Sequence, residues 1–173
     1  MIDKLILVGY MGVGKSTIAQ LLAQKTAKTY LDLDKIISER EGKSITELFA
    51  SKGEIYFRKV ENQVLQQVLE TQSNFVLSLG GGTPCYAQNH LLYTRADCQS
   101  IYLKASISTL VARAAMEREQ RPLLKSIPEK DLEEFIAKQL FERIFYYNQA
   151  SFTVVVDQKS PDELTNELVK LVG

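Results

Sequence analysis

The stretch Gly9-Tyr10-Met11-Gly12-Val13-Gly14-Lys15-Ser16 stands between an apolar run at residues 5–8 and a helical pattern carried by Ile18, Leu21 and Leu22. Its spacing is GxxxxGK[ST], in the strand, loop and helix setting that this motif requires in order to hold phosphate. Glycines let successive backbone N–H groups turn inward on phosphate oxygens, and the start of the helix adds a partial positive charge. Lys15 is then placed to neutralise β- and γ-phosphate charge, and the Ser16 hydroxyl to ligate Mg2+. A plain glycine turn is the bland alternative, but a chance match in a chain of this length is on the order of one per cent.

Working outward, apolar runs recur at residues 29–33, 75–79, 100–103 and 152–156, most of them apolar throughout rather than alternating. That is the pattern of strands buried on both faces of a parallel sheet. Helical patterns separate them. Ser44 and Glu47 form a capping box before a short helix at 45–50, residues 54–70 and 132–147 carry long apolar stripes, and Ser160, Pro161 and Glu163 open the last helix. Strands alternating with helices predict an open α/β sheet with right-handed crossovers and ligands beyond the carboxyl ends of its strands. The interval 117–130, EREQRPLLKSIPEK, is charged and holds two of the four prolines. It reads as a lid over about 115–130, with an ordinary surface loop as the alternative.

The phosphate loop does not fix what receives the phosphoryl group. The run at 75–79 ends in SLGGG without the acid that commonly ends a strand in such folds, and the acids stand instead in Tyr30-Leu31-Asp32-Leu33-Asp34. Two apart, Asp32 and Asp34 share one face if that segment is extended, so one could serve Mg2+ through water and the other a substrate hydroxyl. Asp34 also precedes KIISE, where a helix N-cap is the plain reading. Arg58 and Glu61 flank an apolar stripe, as a surface ion pair or as something more, and Arg143 falls in register with Ile136, Leu140 and Tyr147. An arginine on a buried side needs an anion, so Arg58 and Arg143 suggest a clamp for a carboxylate or phosphate. Gly80, Gly81 and Gly82 would let backbone approach a ligand, or form a simple turn. Arg121, beside Pro122, could close over the transferring phosphoryl group. His90 reads as surface, and Cys85 as a packed small residue.

The 173 residues balance 21 Lys+Arg against 21 Asp+Glu, with 45% apolar residues and two cysteines. A chain of that length buries roughly 70% of its unfolded surface without disulfide or metal staples. Zero net charge excludes a polyanion-coating role, so neither nucleic acid nor a membrane surface is expected as a partner. No apolar run approaches the ~18 residues of a membrane span, the start does not read as a secretory signal, and Cys85 and Cys98 form no metal or disulfide pattern. One domain over 1–173, acting as a monomer in the cytoplasm, is the expectation.

Taken together, the loop at 9–16, DLD at 32–34, FRKVE at 57–61, LSLGGG at 77–82, RPLL at 121–124 and RIFYY at 143–147 resemble the shikimate kinase family, in order and spacing over essentially the whole chain. The resemblance implies a nucleoside-monophosphate-kinase-like, three-layer P-loop fold whose five-stranded parallel sheet has the order 2-3-1-4-5, with helices around it and a mobile lid. It implies transfer of the γ-phosphoryl of ATP to the 3-hydroxyl of shikimate, with Mg2+. Carried over by position, Gly12, Val13, Gly14, Lys15, Ser16 and Thr17 would hold the phosphates, and Ser16 and Asp32 the metal. Asp34, Arg58, Gly80, Gly81, Gly82 and Arg143 would hold shikimate in a region at about 33–61 and beyond. Phe49 and Phe57 would line its apolar side, and Glu61 would orient Arg58. Lys15, Asp34 and Arg121 would carry catalysis, while Arg113 and Pro161 would flank the adenine. Kinases of the same fold acting on gluconate or a nucleoside monophosphate, and a non-catalytic nucleotide-gated module, are the alternatives.

Overall fold

In the computed structural model, which describes residues 3–117 and 122–173, strands β1 (Lys4–Val8), β2 (Thr29–Asp32), β3 (Phe75–Ser78), β4 (Cys98–Lys104) and β5 (Phe152–Val155) form one sheet. Its order is β2-β3-β1-β4-β5, and every neighbouring pair is parallel. This is the order that the resemblance implies. Burial follows position in the sheet. Leu5, Ile6, Leu7 and Val8 on central β1 are wholly buried, each contributing about 1.5–3 kcal/mol by leaving water. The edge strands β2 and β5 are only half-buried, because each lacks a neighbour on one side.

Helices α1 (Lys15–Lys25), α2 (Leu33–Glu41), α3 (Ile45–Thr71), α4 (Asn89–Tyr93), α5 (Ile107–Glu117), α6 (Pro122–Lys125), α7 (Leu132–Tyr147) and α8 (Pro161–Val172) surround the sheet. Among them α1 packs on α8, α2 on α3 and α5 on α7. Both capping boxes form as the sequence predicts, with Ser44 and Ser160 accepting from the N–H groups of Glu47 and Glu163. The short and long helices expected at 45–50 and 54–70 run nearly end to end as α3, broken at Gly53, whose φ of 81° and ψ of 171° are not helical. Two shorter features also differ from the sequence reading. Strand β2 stops at Asp32 rather than at 33, because the Asp32 side chain accepts from the Lys35 N–H and caps α2. Within the interval expected to be a polar lid, α6 buries Leu124 against the core, so part of that segment is packed.

The first glycine of the phosphate loop is dictated by packing. Gly9 leaves β1 with φ 147°, and a Cβ there would lie 2.7 Å from the Leu103 carbonyl oxygen of β4. Any side chain would push the loop off the sheet. No helix is long and apolar enough to cross a membrane among the described residues.

Candidate active site

The loop after β1 and the start of α1 border a cleft of about 290 Å³, shared with the carboxyl ends of β2 and β3. It is lined by Gly12, Gly14, Lys15, Ser16 and Thr17 on one side and by Asp32, Asp34, Gly80 and Gly81 on the other. No side chain caps α1, and Gly14 at its N-cap has a left-handed φ of 101°. The first N–H groups of the helix are therefore left for an anion, strengthened by the aligned peptide dipoles. Buried Lys15 donates from Nζ to the carbonyl oxygens of Gly9 (2.8 Å) and Tyr10 (2.9 Å), which hold its ammonium against the loop.

Asp32 and Asp34 do not share a face of an extended strand, as the sequence spacing suggested. The first is the N-cap of α2 and the second lies in its first turn, yet both border the cleft. Asp32 accepts from Ser16 Oγ at 3.2 Å and from the Tyr30 hydroxyl at 3.1 Å. A hydroxyl and a carboxylate this close are hard oxygen donors of the kind that would suit Mg2+. No group of three or more acids, histidines or cysteines able to hold a metal occurs among the described residues. Asp34 is pushed up to about 6, chiefly by burial and then by the negative charges of Asp32 and Glu61, against the pull of Lys15 and Arg58.

The three glycines after β3 are required for three different reasons. A Cβ on Gly80 would lie 2.9 Å from Thr83 Oγ1 and 3.2 Å from Asp34, one on Gly81 would meet the Met11 N–H nitrogen at 3.1 Å, and one on Gly82 would meet Arg58 Nη2 at 3.0 Å. The turn is thus wedged between the phosphate loop, the acid and the arginine. Arg58 does not line the cleft itself but sits just beyond this turn. Its Nη1 donates to Glu61 at 3.3 Å, while Nε and Nη2 reach Glu54 at 3.4 and 3.3 Å. Glu61 is fully buried, which overturns the reading of a surface ion pair. Burial raises its carboxyl above the ordinary range, opposed by a 2.7 Å hydrogen bond from Thr83 and by Arg58. Phe49 and Phe57 stack at 4.5 Å between centroids near Arg58, with Phe57 buried behind, so Phe49 offers the accessible ring.

Arg143 is half-buried, with its guanidinium over the Tyr10 ring at 5.6 Å and in hydrogen-bond contact with Tyr147. The Tyr147 hydroxyl in turn donates to the Gly81 carbonyl at 2.6 Å, tying α7 to the glycine turn. Arg58 and Arg143 converge electrostatically on Cys85, although burial prevails and pushes the thiol up to about 11. On the far side of the phosphate loop, Arg113 donates to the Val13 carbonyl at 2.8 Å. Arg113 and Pro161 line one hollow with Gly12, Thr17 and Lys159, where an adenine would follow the phosphates. Arg121 lies outside the described residues.

Some contributors were missed from sequence. Glu117 borders both the cleft and the Arg113 hollow, and Tyr86 lies over Arg58 with its ring centroid 3.9 Å from Cζ. Neither position carries a motif. His90, expected at the surface, is half-buried and packs edge-on against Tyr146.

The "Shikimate kinase" family model matches residues 11–172. The chain belongs to the shikimate kinase family. A shikimate kinase of Flavobacterium johnsoniae is 48% identical over 171 residues, 99% of each chain, and one of Flavobacterium psychrophilum is 46% identical over 169 residues, 98% of each. Among solved structures, a shikimate kinase from Bacteroides thetaiotaomicron has a TM-score of 0.90 at 32% identity, covering 98% of this chain and 97% of that one. A shikimate kinase from Acinetobacter baumannii in complex with shikimate has a TM-score of 0.88 at 27% identity, covering 99% of this chain and 93% of that one. As a shikimate kinase, the chain is an ATP-dependent phosphotransferase that uses Mg2+ and binds shikimate and ATP as its substrates.

Proposed function

We propose that the residues of the cleft divide the transfer of the ATP γ-phosphoryl group to the 3-hydroxyl of shikimate as follows. Gly12, Val13, Gly14, Lys15, Ser16 and Thr17 hold the triphosphate, and Ser16 and Asp32 serve Mg2+, which neutralises phosphate charge when bound. Arg113 and Pro161 flank the adenine. Arg58 and Arg143 hold the shikimate carboxylate, Glu61 orients Arg58, Phe49 backed by Phe57 meets the ring, and Gly80, Gly81 and Gly82 keep the floor low enough for the acceptor to reach the phosphate. The observation that carries this reading is that Lys15 and Asp34 border the same cleft while Arg58 lies against its glycine turn, to which Tyr147 ties the helix that carries Arg143.

The Asp34 carboxyl is raised toward neutrality, so it is suited to accept a hydrogen bond, and then the proton, from the attacking hydroxyl. Positioning and charge stabilisation do most of the remaining catalysis, because the transition state is loose and its charge sits on peripheral oxygens. Arg121, from a lid at about 115–130, adds positive charge there and excludes water as a competing acceptor. The chain works as a cytoplasmic monomer, one domain over 1–173 with its acceptor region at about 33–61, and engages neither nucleic acid nor membrane.

ADP release measured with shikimate, gluconate, a nucleoside monophosphate or no acceptor tests the reading. Release dependent on shikimate alone is expected, and release with gluconate or the monophosphate, or with no acceptor, counts against it. In the same assay Arg58→Ala and Arg143→Ala should raise the KM for shikimate while leaving that for ATP near normal. Equal loss of both ligands overturns the clamp.

A further inference from the structure

Arg58 packs against Gly82, part of the acceptor floor above, and against Tyr86, which has no part in that reading. Its guanidinium meets Gly82, where even a Cβ would approach Nη2 to 3.0 Å. The Tyr86 ring packs on the same guanidinium, with Cζ 3.9 Å from its centroid, the shortest cation–ring contact among the described residues. A guanidinium stacked on a ring at that distance turns most easily within its own plane. The one N–H on Nη1 and the one on Nη2 that are not given to Glu61 and Glu54 then stay in a fixed plane, as in-plane pairing of arginine with a carboxylate requires.

The chain goes to some trouble to bring Tyr86 there. Directly after it, Ala87 and Gln88 both adopt left-handed conformations, with φ of 50° and 57°. Neither is a residue that takes this conformation readily, so both positions are strained. Such strain persists only where the surroundings over-determine it. Here the Asn89 side chain donates to the Thr83 carbonyl at 2.9 Å, and the Asn62 amide of α3 donates to Asn89 Oδ1 at 2.7 Å and to the Ala87 carbonyl at 3.4 Å. The Thr83 hydroxyl closes the bracket on Glu61, which itself accepts from Arg58. One polar chain thus runs Asn62, Asn89, Thr83, Glu61, Arg58 and holds the segment that ends on Tyr86.

We infer that Tyr86 is a positioning residue for the acceptor, fixing the plane of the Arg58 guanidinium by stacking so that the N–H groups not given to Glu54 and Glu61 are set for the acceptor's carboxylate. The inference rests on the proposed role of Arg58 and adds to it the residue that orients that arginine from its open side. Tyr86 is 39% exposed, so stacking rather than core filling is its contribution, and replacing it leaves the core intact.

The test is steady-state kinetics on the full chain with Tyr86→Phe, Tyr86→Leu, Tyr86→Ala and Arg58→Ala, each checked for the wild-type circular-dichroism spectrum. Tyr86→Phe, which keeps the ring, should hold the KM for shikimate within about twofold. Tyr86→Leu and Tyr86→Ala should raise it about 3- to 20-fold, the range expected of a partly desolvated cation–ring contact, with kcat and the KM for ATP within about twofold. If Leu behaves as Phe does, Tyr86 only fills space and the inference is overturned. If Tyr86→Ala leaves the KM unchanged while Arg58→Ala raises it, the inference fails and the clamp stands. An unchanged KM in Arg58→Ala removes both.

Discussion

Replacing Asp34 with asparagine should make the protein more stable and far less active, and the size of the gain follows from its surroundings. Burial and the neighbouring charges of Asp32 and Glu61 raise this carboxyl from 3.8 to about 6. The folded chain therefore holds the proton more tightly than the unfolded one, so ionised Asp34 opposes folding. That penalty is absent below about pH 3.8, grows as the pH rises toward about 6, and is constant above it. Fully developed, the difference between 3.8 and about 6 is worth at most about 3 kcal/mol. Asparagine fills the same volume without the charge. For a chain of this size each kcal/mol moves Tm by about 2–4 °C, so Asp34→Asn should melt up to about 6–12 °C above the natural protein at pH 8. The gap should close as the pH approaches 4. Activity should fall at least about 100-fold, because the hydroxyl loses its proton acceptor. Melting curves from pH 4 to 8, paired with shikimate-dependent ADP release, measure both effects. A lower Tm at pH 8, or a gap that does not narrow on acidification, would refute this account of why Asp34 is raised. Retained activity would refute its role.

The same carboxyl sets a pH dependence of turnover: kcat/KM for shikimate should fall as the pH drops through about 6, since the ionised form accepts the hydrogen bond, and a profile flat from pH 5 to 8 would count against it. Gly82→Ala should raise the KM for shikimate more than that for ATP, because its Cβ would crowd Arg58 Nη2 at 3.0 Å rather than the phosphate loop; separate titrations of the two substrates check this. Gly9→Ala should destabilise the fold by more than about 1 kcal/mol, given a φ of 147° and the Leu103 carbonyl 2.7 Å from the new carbon, and denaturant unfolding reads it directly. Ser160→Ala removes one capping box at α8 and should cost about 1 kcal/mol of stability while shikimate-dependent kcat is retained.

What could be read before folding was what local chemistry dictates. The runs at 5–8 and 75–79 announce buried strands because both of their faces are covered, and Ser44, Glu47, Ser160 and Glu163 announce helix starts because capping is a matter of adjacent residues. The phosphate loop was legible for the same reason. Asp32 shows where this stops: spacing alone treats it as one of two acids on a strand, whereas its side chain terminates that strand by capping α2. Tyr86 shows a second limit. Its contact with Arg58 joins residues far apart in the chain through a turn strained at Ala87 and Gln88, and no local pattern encodes either. Glu61 was placed by motif but not by environment, since its burial depends on Thr83 from another element.

The strand order has a consequence for how such a protein can change. The phosphate loop issues from β1 at the centre of the sheet, braced on both sides by β3 and β4. The segment from Leu33 to Arg58 is instead slung between edge strand β2 and its single neighbour β3. It contains no strand paired with β1, although Leu33, Ile37, Leu48 and Phe57 anchor it in the core. The donor loop is thereby locked at the centre of the sheet, whereas this part of the acceptor site hangs at its margin, with Gly80, Gly81, Gly82 and Arg143 supplied from elsewhere in the fold. A chimera that carries another acceptor segment between β2 and β3 should keep its grip on ATP while its choice of alcohol is rewritten.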